Sequence, residues 1–261
     1  MHVLRQLPFI LAGFSIAALT PAQTPPQTSS VRVADGGVSG RMESIFIPPK
    51  AGAPFSMTLV TEWLRPIGNG GTQTLTNQRR IMRDSHGRIY QERWLLVPKD
   101  GDLKSIMDVF QITDPDQHTW YNCEPHRKVC ELLPYRFTAQ ANYEPPVGTT
   151  GALPNGRGFH THEDLGLSST GGEETHGYRE TTTFNAGVMG NDKPMVSIRE
   201  FWFSPRLGMN LLSVVNDPQS GSQVFTVKEL TTSEPEPSFF VPPADYTILN
   251  KLTQRVSTDP Q

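Results

Sequence analysis

Short runs of alternating apolar and polar residues, separated by turns rich in aspartate, proline and glycine, constrain this chain most. Phe55-Ser56-Met57-Thr58-Leu59-Val60-Thr61-Glu62-Trp63 alternates, which on a strand puts Phe55, Met57, Leu59 and Trp63 on one face. Runs 72–83 and 88–97 flank Asp84-Ser85-His86-Gly87, with glycine where a left-handed turn residue belongs, so they predict a hairpin. Runs 109–113 and 117–123 flank Asp114-Pro115-Asp116, and runs 210–216 and 222–230 flank Asp217-Pro218-Gln219-Ser220-Gly221. Strands are also expected near 162, over 174–185 and over 195–203. Threonine occurs 25 times and alanine only 12, against a helical bundle. The expected fold is mainly β: a single antiparallel, strongly curved, half-barrel-like sheet with few short helices.

Two segments are less regular. Leu103, Ile106, Met107 and Phe110 sit at helical spacing, while Ile106, Phe110 and Ile112 also fit one strand face; within 102–113 we expect a strand from about Ile106. Residues 134–158 are rich in proline and glycine and predict a long surface loop. A helical turn is expected over Glu234–Phe240, followed by extended chain to Tyr246.

The N-terminus predicts export. Arg5 precedes a short apolar stretch, Leu7 to Leu19, and Thr20-Pro21-Ala22 offers small residues for cleavage, so 1–22 is expected to be a signal peptide. Its apolar run is shorter than the roughly 20 residues a spanning helix needs, and nothing later is long enough. A periplasmic or secreted protein with no transmembrane segment after cleavage is expected. Residues 23–38 then form a polar, proline-bearing linker, 39–248 the β domain, and 249–261 a polar tail.

In an oxidising compartment the two cysteines predict a disulfide. If Glu124 and Val129 close a four-residue loop, Cys123 and Cys130 face each other at the next pair, their Cα atoms about 4.5 Å apart. His126 between them does not complete a zinc site.

Chemistry is sparse. The net charge of −3 argues against nucleic acid, and there is no nucleophile elbow, zinc-protease helix, P-loop or dinucleotide fingerprint. His160 and His162 share a strand face and would bind a metal with a third ligand such as His176, but two histidines specify little, so no metal and no cofactor are expected. Glu92 lies between Tyr90 and Trp94, and Glu200 between Ile198 and Trp202. Carboxylates on such faces must be paired or desolvated; they are expected to be buried or semi-buried structural groups, with a glycosidase-like acid/base pair as the catalytic alternative.

Several strings resemble an uncharacterised family of exported bacterial proteins: His162-Glu163-Asp164-Leu165-Gly166, Gly177-Tyr178-Arg179-Glu180-Thr181-Thr182-Thr183, Gly190-Asn191-Asp192-Lys193-Pro194 and Glu200-Phe201-Trp202-Phe203-Ser204-Pro205. Asp217-Pro218 and the ending Glu234-Pro235-Glu236-Pro237-Ser238-Phe239-Phe240-Val241-Pro242-Pro243-Ala244-Asp245-Tyr246 belong to the same resemblance, which spans about 40–248. The ending is also similar to that of the periplasmic lipoprotein-carrier (LolA-like) half-barrel, whose antiparallel sheet curls around an apolar concavity. The resemblance implies a non-enzymatic protein that binds a lipid, an acylated protein or another envelope component. Phe55, Met57, Leu59, Trp63, Trp94 and Trp202 are the expected lining. The alternatives are an envelope protein-interaction or stress-sensing module, and a hydrolase using Glu92 and Glu200.

Overall fold

Aspartate-led turns set the hairpins. The computed structural model describes residues 45–68, 70–137 and 148–252; the expected leader and linker lie outside them. Strands β1 (Phe55–Pro66) and β2 (Thr72–Arg83) pair along their whole lengths. After β2 the Asp84 carboxylate accepts the backbone N–H groups of His86 and Arg88 and the Arg88 side chain, while Gly87 takes φ +84°. That turn delivers β3 (Ile89–Trp94) and the two-residue β4 (Val97–Pro98). Asp114 caps the turn between β5 (Met107–Asp114) and β6 (Thr119–Glu124) through the N–H groups of Asp116 and Gln117. β5 settles the ambiguous segment as strand from Met107. Next come β7 (Val129–Pro134), β8 (Gly151–Ala152) and β9 (Gly158–Thr170), which starts before the expected position. Of the expected long loop, 138–147 lies outside the described residues, and Pro154–Gly156 forms a 3-10 turn. Strands β10 (Glu173–Phe184), β11 (Met195–Ser204), β12 (Met209–Asp217) and β13 (Gly221–Thr231) follow, then a 3-10 turn at Pro237–Phe240 and β14 (Thr247–Asn250).

Among the described residues these make one curved, unclosed sheet in the order β14-β7-β6-β5-β3-β2-β1-β13-β12-β11-β10-β9-β8, with β4 against β2. All neighbours are antiparallel except β14 and β7. Two meanders are joined at the centre by β1 and β13, where Leu59 lies opposite Val227. β14 carries the sheet past the boundary expected at 248: Leu249 and Asn250 pair with Glu131 and Leu132. No helix among the described residues is long and apolar enough to cross a membrane.

The pleat separates two faces. The inner face carries Phe55, Met57, Leu59, Ile81, Phe225 and Val227, closed over by Ile45, Ile47 and Leu207 into a dry cluster. Beside it Arg83 is 0% exposed. Its guanidinium donates to the carbonyls of Ala53, Pro48 and Leu207 at 3.0, 2.8 and 2.6 Å and lies over the Phe55 ring. The outer face of β2, β3 and β5–β7 holds a second cluster of Met82, Tyr90, Phe110, Ile112 and the cysteines, covered by Phe239, Phe240 and Tyr246. Cys123 and Cys130 form a disulfide at the paired position, next to Glu124 opposite Val129, with Cα atoms 4.0 Å apart.

Candidate functional site

The six expected lining residues do not share a face. Phe55, Met57 and Leu59 are sealed in the inner cluster, and Trp63, also on the inner face, is buried with its Nε1 donating to the Ser220 carbonyl. Register carries Trp202 through Leu212 and Thr226 to Val60, on the outer face. Trp94 is on that outer face too, beside Glu92 and Arg80. The alternation within each strand is visible in the sequence; which face each strand turns inward depends on pairing and bulges.

Glu92 is 2% exposed and fully engaged. Oε1 accepts from Arg80 Nε at 2.8 Å, Arg80 Nη2 at 2.7 Å and the Tyr90 hydroxyl at 3.1 Å. Oε2 accepts from the Arg80 backbone N–H at 3.1 Å and Trp94 Nε1 at 2.8 Å. Burial pushes the carboxyl up, but the donors on Trp94 and Arg80 outweigh it and hold it below its ordinary value. This carboxylate bridges a split in the sheet. The β2–β3 ladder stops at Ile81 opposite Gln91, and β2 resumes pairing with β4 at Thr76 opposite Val97. Asn77 Nδ2 spans the same gap to the Trp94 carbonyl at 2.6 Å. An open slot of about 490 Å³ lies there, lined in part by Thr58, Gln78, Arg80 and Trp94.

Glu200 is partly exposed; Arg179 Nη2 and Nε donate to its Oε2 at 3.0 and 3.2 Å, and Trp202 Nε1 to its Oε1 at 3.3 Å. β3 and β11 are five strand steps apart, about 24 Å along the sheet. Each glutamate therefore serves its own arginine and tryptophan.

His160 and His162 do share the inner face, opposite Thr182 and Glu180. His176 stands apart, with Tyr178 between it and His162: the ring centroids are 4.6 and 5.4 Å from that of Tyr178. His176 Nε2 lies 2.6 Å from Asp164, whose carboxyl is held low by the Gly166 N–H and by His176. Among the described residues no three His, Cys, Asp or Glu side chains converge to hold a metal ion.

The inner face opens at its β3–β5–β6 end into a cavity of about 450 Å³. Its floor is an amide row: Gln91 Nε2 donates to Gln111 Oε1 at 2.9 Å, and Gln111 Nε2 donates to Asn122 Oδ1 at 3.0 Å. Ile45, Phe46 and Ile47 form one wall, and Trp120, Tyr135 and Phe137 the other. Phe46 and Phe137 meet edge to face at 6.3 Å while remaining 50% and 54% exposed. Among the described residues Trp120 Nε1 is buried without a hydrogen-bond partner, and burial pushes the Tyr135 hydroxyl up. Arg93 and Arg136 supply the charge. Arg79, close to Arg93, is pushed down to about 10, first by burial and then by the charge of Arg93. None of these residues was expected as lining. Trp120 comes from β6, but the rest of the walls comes from 45–47 and 135–137, some 90 residues apart and outside any strand or helix.

No family model and no curated protein matches the chain. Among solved structures it is similar to MucB, with 13% identity and a TM-score of 0.38, covering 77% of this chain. The chain spans 61% of that MucB chain, and 59% in the Pseudomonas aeruginosa MucA/MucB complex. It is also similar to a LolA superfamily protein from Nitrosomonas europaea, with 7% identity, TM-score 0.30, and 73% and 90% of the two chains covered. The corresponding figures for LprF from Mycobacterium bovis are 13%, 0.26, 71% and 90%.

Proposed function

We propose that this is an exported, non-enzymatic binding protein whose inner-face cavity takes the apolar part of an amphiphilic envelope component, a lipid or an acylated protein. One observation carries the proposal: exposed Phe46 and Phe137 stand over a concave, mostly apolar recess of about 450 Å³ with a polar floor. That volume falls in the range of small-ligand sites, which combine apolar walls with a few convergent polar groups. Large exposed aromatic rings at a recess mark an interaction site more often than an unfinished core. The paired-carboxylate hydrolase has no support in the geometry, since Glu92 and Glu200 are engaged far apart along the sheet.

The test is native mass spectrometry of protein purified from the periplasm, followed by titration with a fluorescent fatty-acid probe. Bound amphiphile is expected in the first experiment and saturable binding in the second. Phe46→Ala with Phe137→Ala should weaken the probe while leaving the melting temperature nearly unchanged, because both rings are half exposed. Probe binding that is absent, or unaffected by that double variant, overturns the proposal.

An envelope protein-interaction module is the second reading. It is favoured by the outer-face row Phe159, Thr183, Val196 across β9–β11, whose two apolar members are 45% and 44% exposed.

A further inference from the structure

We propose that the cavity selects an anionic ligand: a single-chain amphiphile whose carboxylate or phosphate head is gripped by Arg93 and Arg136 while its chain lies against the aromatic walls. The inference rests on the cavity being a binding site and names the chemistry of its occupant. Several arginines elsewhere on the sheet pair with carboxylates: Arg80 with Glu92, Arg88 with Asp84, Arg179 with Glu163 and Glu200, Arg206 with Glu173. The cavity is different. Among the described residues two arginines line it and no aspartate or glutamate does, in a chain whose formal charge is −3.

Arg93 gives only its Nε, to Gln111 Oε1 at 3.3 Å. No protein acceptor among the described residues takes its two Nη groups. A guanidinium with a free fork matches a carboxylate or phosphate in two parallel hydrogen bonds. Arg136 lies between Tyr135 and Phe137 in the chain, so charge and aromatic wall belong to the same segment. The amide row fixes Gln111 and through it Arg93.

The experiment displaces the fluorescent fatty-acid probe with laurate, dodecyl phosphate and neutral monolaurin, using the full chain and the variants Arg93→Gln and Arg136→Gln. At least one anionic amphiphile should bind about tenfold better than monolaurin, the equivalent of one charge-assisted hydrogen bond. Each variant should erase that preference and leave monolaurin unchanged. A lead for laurate identifies a carboxylate head, and a lead for dodecyl phosphate a phosphate head. Equal binding of all three overturns the head-group assignment while the cavity stands as an apolar site. No displacement by any of them overturns both. Arg136 is exposed and makes no hydrogen bond among the described residues, so Arg136→Gln carries the test even if Arg93→Gln fails to fold.

Discussion

Replacing Glu92 with glutamine should destabilise the fold far more than a one-atom change suggests. The carboxylate accepts five donors, three on Oε1 and two on Oε2. A glutamine with its carbonyl at Oε1 keeps three of them and turns an NH2 toward the Arg80 backbone N–H and Trp94 Nε1. Two donors at the split between β2 and β3 then lose their acceptor, at about 1–3 kcal/mol each for a buried group. The Arg80 ion pair adds little, because that guanidinium is 51% exposed and screened. A loss of about 3 kcal/mol lowers the melting temperature by roughly 6–12 °C in a domain of this size. The pH dependence has a definite sign. The folded carboxyl is held below its ordinary value of 4.5, so its stabilisation is whole above about 4.5 and is lost as pH falls through the folded value. The gap between wild type and E92Q should therefore be constant from pH 7 down to about 5 and shrink toward pH 3. Calorimetry across that range decides it. An unchanged melting temperature at pH 7, or a gap that stays constant to pH 3, would refute the reasoning.

Three further perturbations have defined outcomes. Replacing both cysteines with serine should cost about 2.5 kcal/mol, the chain-entropy value for so short a loop, read as a lower urea midpoint with little change in slope. Arg83→Met strands three carbonyls inside the protein and should cost about 3–5 kcal/mol, with Arg83→Lys recovering only part because an ammonium lacks the three-way reach; a melting temperature equal to wild type for either variant contradicts this. At Gly177 an added Cβ would lie 2.6 Å from the Trp202 ring, so Gly177→Ala should displace that indole, cost about 1–3 kcal/mol and shift tryptophan emission; unchanged emission shows that the ring does not cover the glycine.

Local order was legible in the residues and long-range order was not. Alternation from Phe55 to Trp63 and the aspartate-led turns at 84, 114 and 217 prescribe strands and hairpins, because pleat period and turn chemistry act over a few residues. The register placing Cys123 opposite Cys130 follows from the same short range. The mainly β fold was equally readable. The pairing of β1 with β13 was not, since it joins positions about 170 residues apart through groups every strand offers alike. Pairing across the whole sheet, with bulges in β5 opposite Trp94 and in β12 opposite Trp202, decides that Trp94 and Trp202 turn outward while Phe55, Met57 and Leu59 are sealed inside. The cavity belongs wholly to this second level. Phe46, Trp120 and Phe137 have no common period in the chain, and Arg93 is one of many surface-type arginines until its neighbours are known. A strand specifies its own two faces by the alternation of Cβ directions; which face becomes interior depends on partners that bring distant segments over it.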